Sequence, residues 1–379
     1  MKRICCLILA LLCLLLVGCE GWGQGSHVSV TPHHEENSKV NPDEISAQTI
    51  WQLRSALENL VESGAESGLI YVPDYDQESV EEDVAVAVRS VAKKNPIGAY
   101  AVEEIRYELG SSSGKSAVAV QINYVHDRSE IRLIKTCNGV VEAVTAIEEA
   151  LDGCENSLVL RIDRYRQTDF IQMIQDYAAE NPDKVMELPQ VTVGIYPESG
   201  NEDRVVELKF TYQTSRDILR NMQHQVRPVF EAAVLYVSGD GEEHEKLSQL
   251  YSFLMERFNY RMDTSITPAY SLLRHGVGDS KAFATVFAAM CRDAGLECLV
   301  VSGTRDGEAR YWNIVREGES YYHVDLIACN EINTFQELGD SEMIGYVWDY
   351  SAYPLCQSYV QQEDPDDVVE PSETEEISE

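Results

Sequence analysis

The chain has 379 residues, 44% of them apolar, and sets 64 acidic side chains against 30 basic ones for a formal charge of -34. That length allows two or three domains, each with a real core. So acidic a surface repels polyphosphate and anionic headgroups, which excludes nucleic acid as a partner.

Lys2 and Arg3 precede an apolar run from Ile4 to Val17, which is short for a membrane-spanning helix. The run ends in Leu16-Val17-Gly18-Cys19, and small residues before a cysteine at that place resemble a bacterial lipobox. The resemblance implies a signal peptide over residues 1–18, cleaved before Cys19, with a lipid on the Cys19 sulfur. Its fatty chains would anchor the protein to the membrane, facing outside the cytoplasm. Residues 19–46 are polar and rich in Gly and Pro, which fits a flexible tether; the His33-His34 pair belongs to that composition. Beyond Cys19 there are six cysteines, Cys137, Cys154, Cys291, Cys298, Cys329 and Cys356. An exported chain can pair them, and Cys137 with Cys154 is the first candidate because the connection is short; free buried thiols are the alternative. No Cys/His spacing points to zinc, and no cofactor is expected.

Residues 47–66 carry Ile50, Leu53, Leu57 and Leu60 at helical spacing. An internal repeat then begins. Leu69 to Tyr75 matches Leu158 to Tyr165, and the helical stretch after each ends at Asn95-Pro96 or Asn181-Pro182. Ile105-Arg106-Tyr107 answers Val193 to Tyr196, and Val118 to Tyr124 answers Val206 to Tyr212, at offsets of 89 and 88 residues. Alternation in Val118, Val120 and Ile122, and in Val206, Leu208 and Phe210, gives each last strand one apolar face. Gly110 to Gly114 and Glu198 to Asn201 are the hairpin connections. The expectation is α+β: two tandem β-α-β-β modules over 47–145 and 146–234, each sheet covered by its own helix.

The third region, 235–360, opens with a helical stretch from Glu243 to Phe258 and a loop-like segment from Asn259 to Pro268. A short helix over Ala269–Leu273 follows. Gly276-Val277-Gly278-Asp279-Ser280 then opens a buried helix marked by Phe283, Val286, Phe287 and Met290. Strands are expected at 297–302, 310–316 and 320–326. The tail, 361–379, has nine acids, two prolines and no aromatic residue, a composition of disorder.

The helix opening, then Arg310-Tyr311-Trp312-Asn313, then Tyr321-Tyr322-His323-Val324-Asp325, resembles the core of the transglutaminase-like superfamily. The resemblance implies a papain-like α+β domain. In that family a cysteine nucleophile at a helix N-terminus is served by a histidine base and an orienting aspartate. The matching positions here are Ser280, Arg310 and Asp325. A serine hydroxyl is hardly ionised at neutral pH and needs a base, while a guanidinium stays protonated and accepts nothing. The expectation is a degenerate triad in which Ser280 caps the helix and Arg310 pairs with Asp325. Rescue by His275, or by His323 on the face expected for Asp325, is the enzymatic alternative. Asp279, Trp312, Asn313, His275 and His323 would line the cleft.

Together these point to a lipid-anchored envelope protein whose last domain binds or scaffolds peptide or cell-wall material without catalysis. Two rivals stay open. One is a hydrolase or acyltransferase using Ser280 with a nearby histidine. The other is an adhesion or assembly stalk in which the modules carry the function.

Overall fold

A computed structural model describes residues 45–200, 202–237, 239–261 and 268–358. The expected signal peptide, Cys19, the His33-His34 pair and the acidic tail lie outside the described residues.

The first helix, α1 (Ile50–Glu62), starts at Thr49, whose hydroxyl accepts from the Gln52 N–H, and buries Leu53, Ala56, Leu57, Leu60 and Val61. β1 (Ser67–Tyr71) and α2 (Val80–Lys94) follow. The chain leaves α2 at Asn95 because a residue before proline is driven out of helical backbone. Asn95 then caps a further helix, α3 (Pro96–Ala101), by accepting from the Gly98 N–H at 2.9 Å. β2 (Val102–Ser112) and β3 (Lys115–Tyr124) complete a three-stranded antiparallel sheet of order β1-β3-β2. Ser113 and Gly114 both have positive φ, so the hairpin closes in two residues and its strands run on through most of the expected loop.

α4 (Arg128–Arg132), β4 (Lys135–Cys137), α5 (Val140–Asp152), β5 (Ser157–Ile162), α6 (Phe170–Glu180), β6 (Gln190–Tyr196) and β7 (Arg204–Thr211) come next. The second sheet has the order β4-β5-β7-β6, with β4 parallel to β5 and the other pairs antiparallel. Ala146, Ile147 and Leu151 of α5, with Phe170 and Ile174 of α6, cover Leu160, Ile162, Val206 and Leu208. On its other face β7 turns Val205 into the core of the first sheet. Ile70 and Val72 are buried, as are Leu160 and Ile162, which sets the expected match of the two stretches one residue later than Leu69 with Leu158. Tyr107 and Tyr196 are not equivalent. Tyr107 pairs with Val120, Val193 pairs with Leu208, and Tyr196 lies further along opposite Val205, because the second hairpin is longer.

α7 (Arg216–Tyr236) carries Leu219, Met222, Val226, Phe230 and Ala233 into the third core. The boundaries drawn at 145/146 and 234/235 therefore fall inside α5 and α7. After α7 come α8 (Glu243–Arg257), β8 (Asn259–Tyr260), α9 (Pro268–His275), β9 (Val277–Gly278), α10 (Ser280–Asp293), β10 (Cys298–Arg305), β11 (Glu308–Glu317), β12 (Ser320–Val324), α11 (Leu326–Ile332) and β13 (Tyr346–Trp348). The third sheet is antiparallel, in the order β12-β11-β10-β13. Asp306-Gly307, both at positive φ, turns β10 into β11 in two residues, which extends both strands beyond the expected 302 and 310. Asn259-Tyr260, expected as loop, pairs in parallel with Val277-Gly278. Buried Phe283, Phe287 and Met290 of α10 join Phe230, Leu250 and Leu254 in one core. The architecture is mixed α+β.

All six described cysteines are free thiols. The candidate pair Cys137–Cys154 is excluded by the helix between them. The thirteen residues of α5 rise about 1.5 Å each, roughly 20 Å in all, against the ~7 Å limit for disulfide Cα atoms. Cys137 packs in the core of the second sheet and Cys154 in that of the third region. Among the described residues no helix is long and apolar enough to cross a membrane.

Candidate functional site

The site is assembled where α10 begins against the start of β11. Gly278 has no room for a side chain, since a Cβ there would stand 2.8 Å from that of Ala282. Asp279 is the N-cap, and its carboxylate accepts from the Ala282 N–H at 2.8 Å. This corrects the expected role of Ser280, which is the first helical residue and not the cap. The Ser280 hydroxyl oxygen accepts from the Tyr311 backbone N–H at 3.2 Å. Ser280 is 7% exposed.

Arg310 and Asp325 form a buried, bidentate ion pair. Nε donates to Oδ2 and Nη2 to Oδ1, each at 2.8 Å. β12 ends at Val324, so Asp325 does not continue the strand beside His323, as expected, but caps α11. Its Oδ1 accepts from the N–H groups of Ile327 and Ala328, and its Oδ2 from the Tyr346 hydroxyl at 2.8 Å. The Tyr260 ring lies 5.7 Å from the guanidinium. Burial opposes the charge on Arg310, but the hydrogen bonds and charge of Asp325 outweigh it and hold the guanidinium above its ordinary value. Burial and then the Asp325 charge push the Tyr346 hydroxyl up as well. Between Ser280, Phe283, Tyr311, Asp325 and Leu326 the remaining gap has no room for a water molecule.

Neither His323 nor His275 hydrogen-bonds Ser280. His323 is fully buried, and its Nδ1 accepts from Trp312 Nε1–H at 3.0 Å. An indole nitrogen only donates, so the His323 proton sits on Nε2, which donates to Asp340 at 2.9 Å. Burial lowers the pKa of His323, with Asp340 opposing. His275 packs edge-on against Tyr270. Among the described residues, no imidazole hydrogen-bonds Ser280.

The expected cleft wall is mostly core. Trp312 is 1% exposed and Asn313 is 0%. Trp312 stacks edge-on with Tyr346 and Trp348, and Asn313 donates to the carbonyls of Ala284 and Leu299. Asp340 and Cys356 come within ligating distance of His323, whose ring nitrogens are already engaged. Trp312 occupies Nδ1, Nε2 carries a proton, and burial pushes the Cys356 thiol up to about 12. Tyr260, Tyr311 and Tyr346, which complete the site, carry no motif in the sequence. Among the described residues the arrangement is a hydroxyl with no imidazole bonded to it beside a guanidinium that cannot accept a proton.

Residues 231–331 match the transglutaminase-like superfamily. No curated protein matches the chain. Among solved structures, similarity is found to a TGase, with 10% identity, TM-score 0.25, and 45% of this chain covering 50% of that one. It is also found to a proposed cysteine protease from Cytophaga hutchinsonii, with 14% identity, TM-score 0.25, and 39% of this chain covering 65% of that one. A third is a proposed protease from Parabacteroides distasonis ATCC 8503, with 9% identity, TM-score 0.22, and 68% of this chain covering 39% of that one. The chain thus spans less than two thirds of each.

Proposed function

We propose, from the transglutaminase-like domain at residues 231–331, that this protein works without catalysis, as a binding or scaffolding protein of the cell envelope. The observation that carries the reading is the bidentate Arg310–Asp325 pair beside a serine whose only described hydrogen-bond partner is a backbone N–H. An acyl-transfer nucleophile needs a base within hydrogen-bond reach, and a guanidinium cannot be one. A lipid on Cys19 and the tether over 19–46 would hold the folded part at the membrane, outside the cytoplasm.

Peptide or cell-wall material is the proposed ligand. With Trp312, Asn313 and His323 buried, it would dock away from Ser280. A groove of about 790 Å³ between α7 and the end of α10 sets Lys184, Arg220 and Arg227 among Asp152, Asp183, Glu231 and Asp293, over Phe230 and Leu235. Lys184 pairs with Asp152 and Arg227 with Glu231, and mixed charge over an apolar floor suits a peptide that carries both ammonium and carboxylate groups.

An acyl-directed serine probe and a panel of peptide amides, applied to the wild type and to Ser280→Ala, test the loss of catalysis. We expect neither labelling nor turnover in either protein. Wild-type labelling that Ser280→Ala abolishes would overturn the reading. Cosedimentation with cell-wall sacculi tests binding; no retention of the wild type, or equal retention of an Arg220→Glu/Arg227→Glu variant, would remove the groove from the proposal.

A further inference from the structure

At the far end of β11 a second buried cluster joins three elements. His244 lies in the first turn of α8, Glu317 is the last residue of β11, and Glu337 follows α11. Their ligating atoms all lie within 4.8 Å of one another. His244 Nδ1 is 2.7 Å from Glu337 Oε2 and 3.2 Å from Glu317 Oε1. One ring nitrogen serves one acceptor, and the shorter contact takes it. Glu317 Oε1 and Glu337 Oε1 are left buried with no donor. The Glu337 side chain is 1% exposed and that of Glu317 15%.

No nearby arginine supplies what is missing. Arg316, adjacent in sequence, turns to Glu297 and to the Gly318 carbonyl. A third acid, Glu243, is held close by the Gly318 N–H. Two buried carboxylates side by side are costly unless a cation neutralises them. A proton between them relieves one; a divalent cation relieves both and takes up both unpartnered oxygens.

We propose that His244, Glu317 and Glu337 form a binding site for a zinc-class divalent cation that ties the start of α8 to the end of β11 and to the segment after α11. The donor set argues the class. Calcium and magnesium take oxygen ligands, whereas one imidazole with two carboxylates suits zinc. His244 is half-exposed, with its side chain 43% accessible, so the ion can enter and a water can fill the fourth position. The contrast with His323 is instructive. There the indole N–H and Asp340 use both ring nitrogens, and no carboxylate oxygen of Asp340 is left buried without a donor. Sequence spacing could not show the site, because its residues stand far apart in the chain.

The full chain, stripped with a chelator, is titrated with zinc chloride by calorimetry. The variants are His244→Ala and Glu337→Gln, with Cys356→Ser and His33→Ala/His34→Ala as controls for other zinc ligands. We expect one strong site in the wild type and in both controls, weakened at least tenfold in His244→Ala and Glu337→Gln. Zinc should raise the melting temperature of the wild type and not of these two variants. No strong site in the wild type, or unchanged affinity in His244→Ala, would overturn the proposal. His244 is half-exposed on a helix turn, so that variant decides the matter even if Glu337→Gln fails to fold.

Discussion

Near the start of β11 five hydrogen bonds converge on one buried carboxylate, that of Asp325, from Arg310, Ile327, Ala328 and Tyr346. Where the same strand ends, seven residues on and roughly 23 Å away at the usual rise, two largely buried carboxylates lie against one imidazole that serves one of them. The first cluster is complete: the charges match and the oxygens are occupied. The second has an excess of negative charge and two oxygens without donors. Family resemblance directs attention to the first, but unmet chemical demand is at the second. The two ends of β11 thus differ in how completely their buried carboxylates are partnered.

Unequal stability effects at the two ends would be the strongest test of that contrast. Arg310→Ala strands the Asp325 charge in the interior and should cost about 3–5 kcal/mol. Glu337→Gln, in metal-free protein, removes a repulsion while keeping the shape, so its effect should stay within about 1 kcal/mol of zero. Urea unfolding midpoints measure both. Similar shifts in the two variants would mean that the ends do not differ in completeness.

A smaller effect separates the residues at the start of α10. Asp279 acts through its cap, so Asp279→Ala should lose about 1 kcal/mol, while Asp279→Asn, an equally good cap, should lose only a few tenths. Equal losses in the two would show that charge at this position matters and not the hydrogen bond to Ala282.

Much of the first cluster was legible in the sequence. Gly278-Asp279 before an apolar run at helical spacing marks the start of α10, and the order of Ser280, Arg310 and Asp325 sets which side chains face one another. The details that escaped are tertiary. Whether Asp279 or Ser280 caps depends on which hydroxyl or carboxylate β11 claims, and the Tyr311 N–H claims Ser280. Asp325 reads as strand because Tyr321 to Val324 is strand, yet its two extra acceptor bonds to backbone start a helix. Asp306-Gly307 is a hairpin signal that fixes the strand lengths, and it shows how local chemistry outperforms an apolar pattern at boundaries. α7 crosses an expected boundary because its apolar stripe belongs to the core that follows it. The second cluster is assembled from a helix turn, a strand end and a loop, and no local pattern encodes that meeting.

The smallest effect probes whether the closed region excludes even a proton. His323 is buried between Trp312 and Trp348, with both ring nitrogens in use. Burial lowers its pKa in the folded protein below the ordinary histidine value. The unfolded chain takes up a proton at about pH 6.5, and the fold resists doing so. Stability is therefore intact above that pH and is lost as pH falls, by at most about 0.4 kcal/mol at pH 6.5 and at most about 1.4 kcal/mol per further unit. His323→Gln removes the titrating ring, so its stability should fall less steeply than the wild type's between pH 6.5 and 5, read from urea unfolding at each pH. Parallel slopes would mean that the folded protein binds the proton as readily as the unfolded chain. In that case the Trp312–His323–Asp340 chain would be open to rearrangement, and the difference between the two ends of β11 would be one of degree.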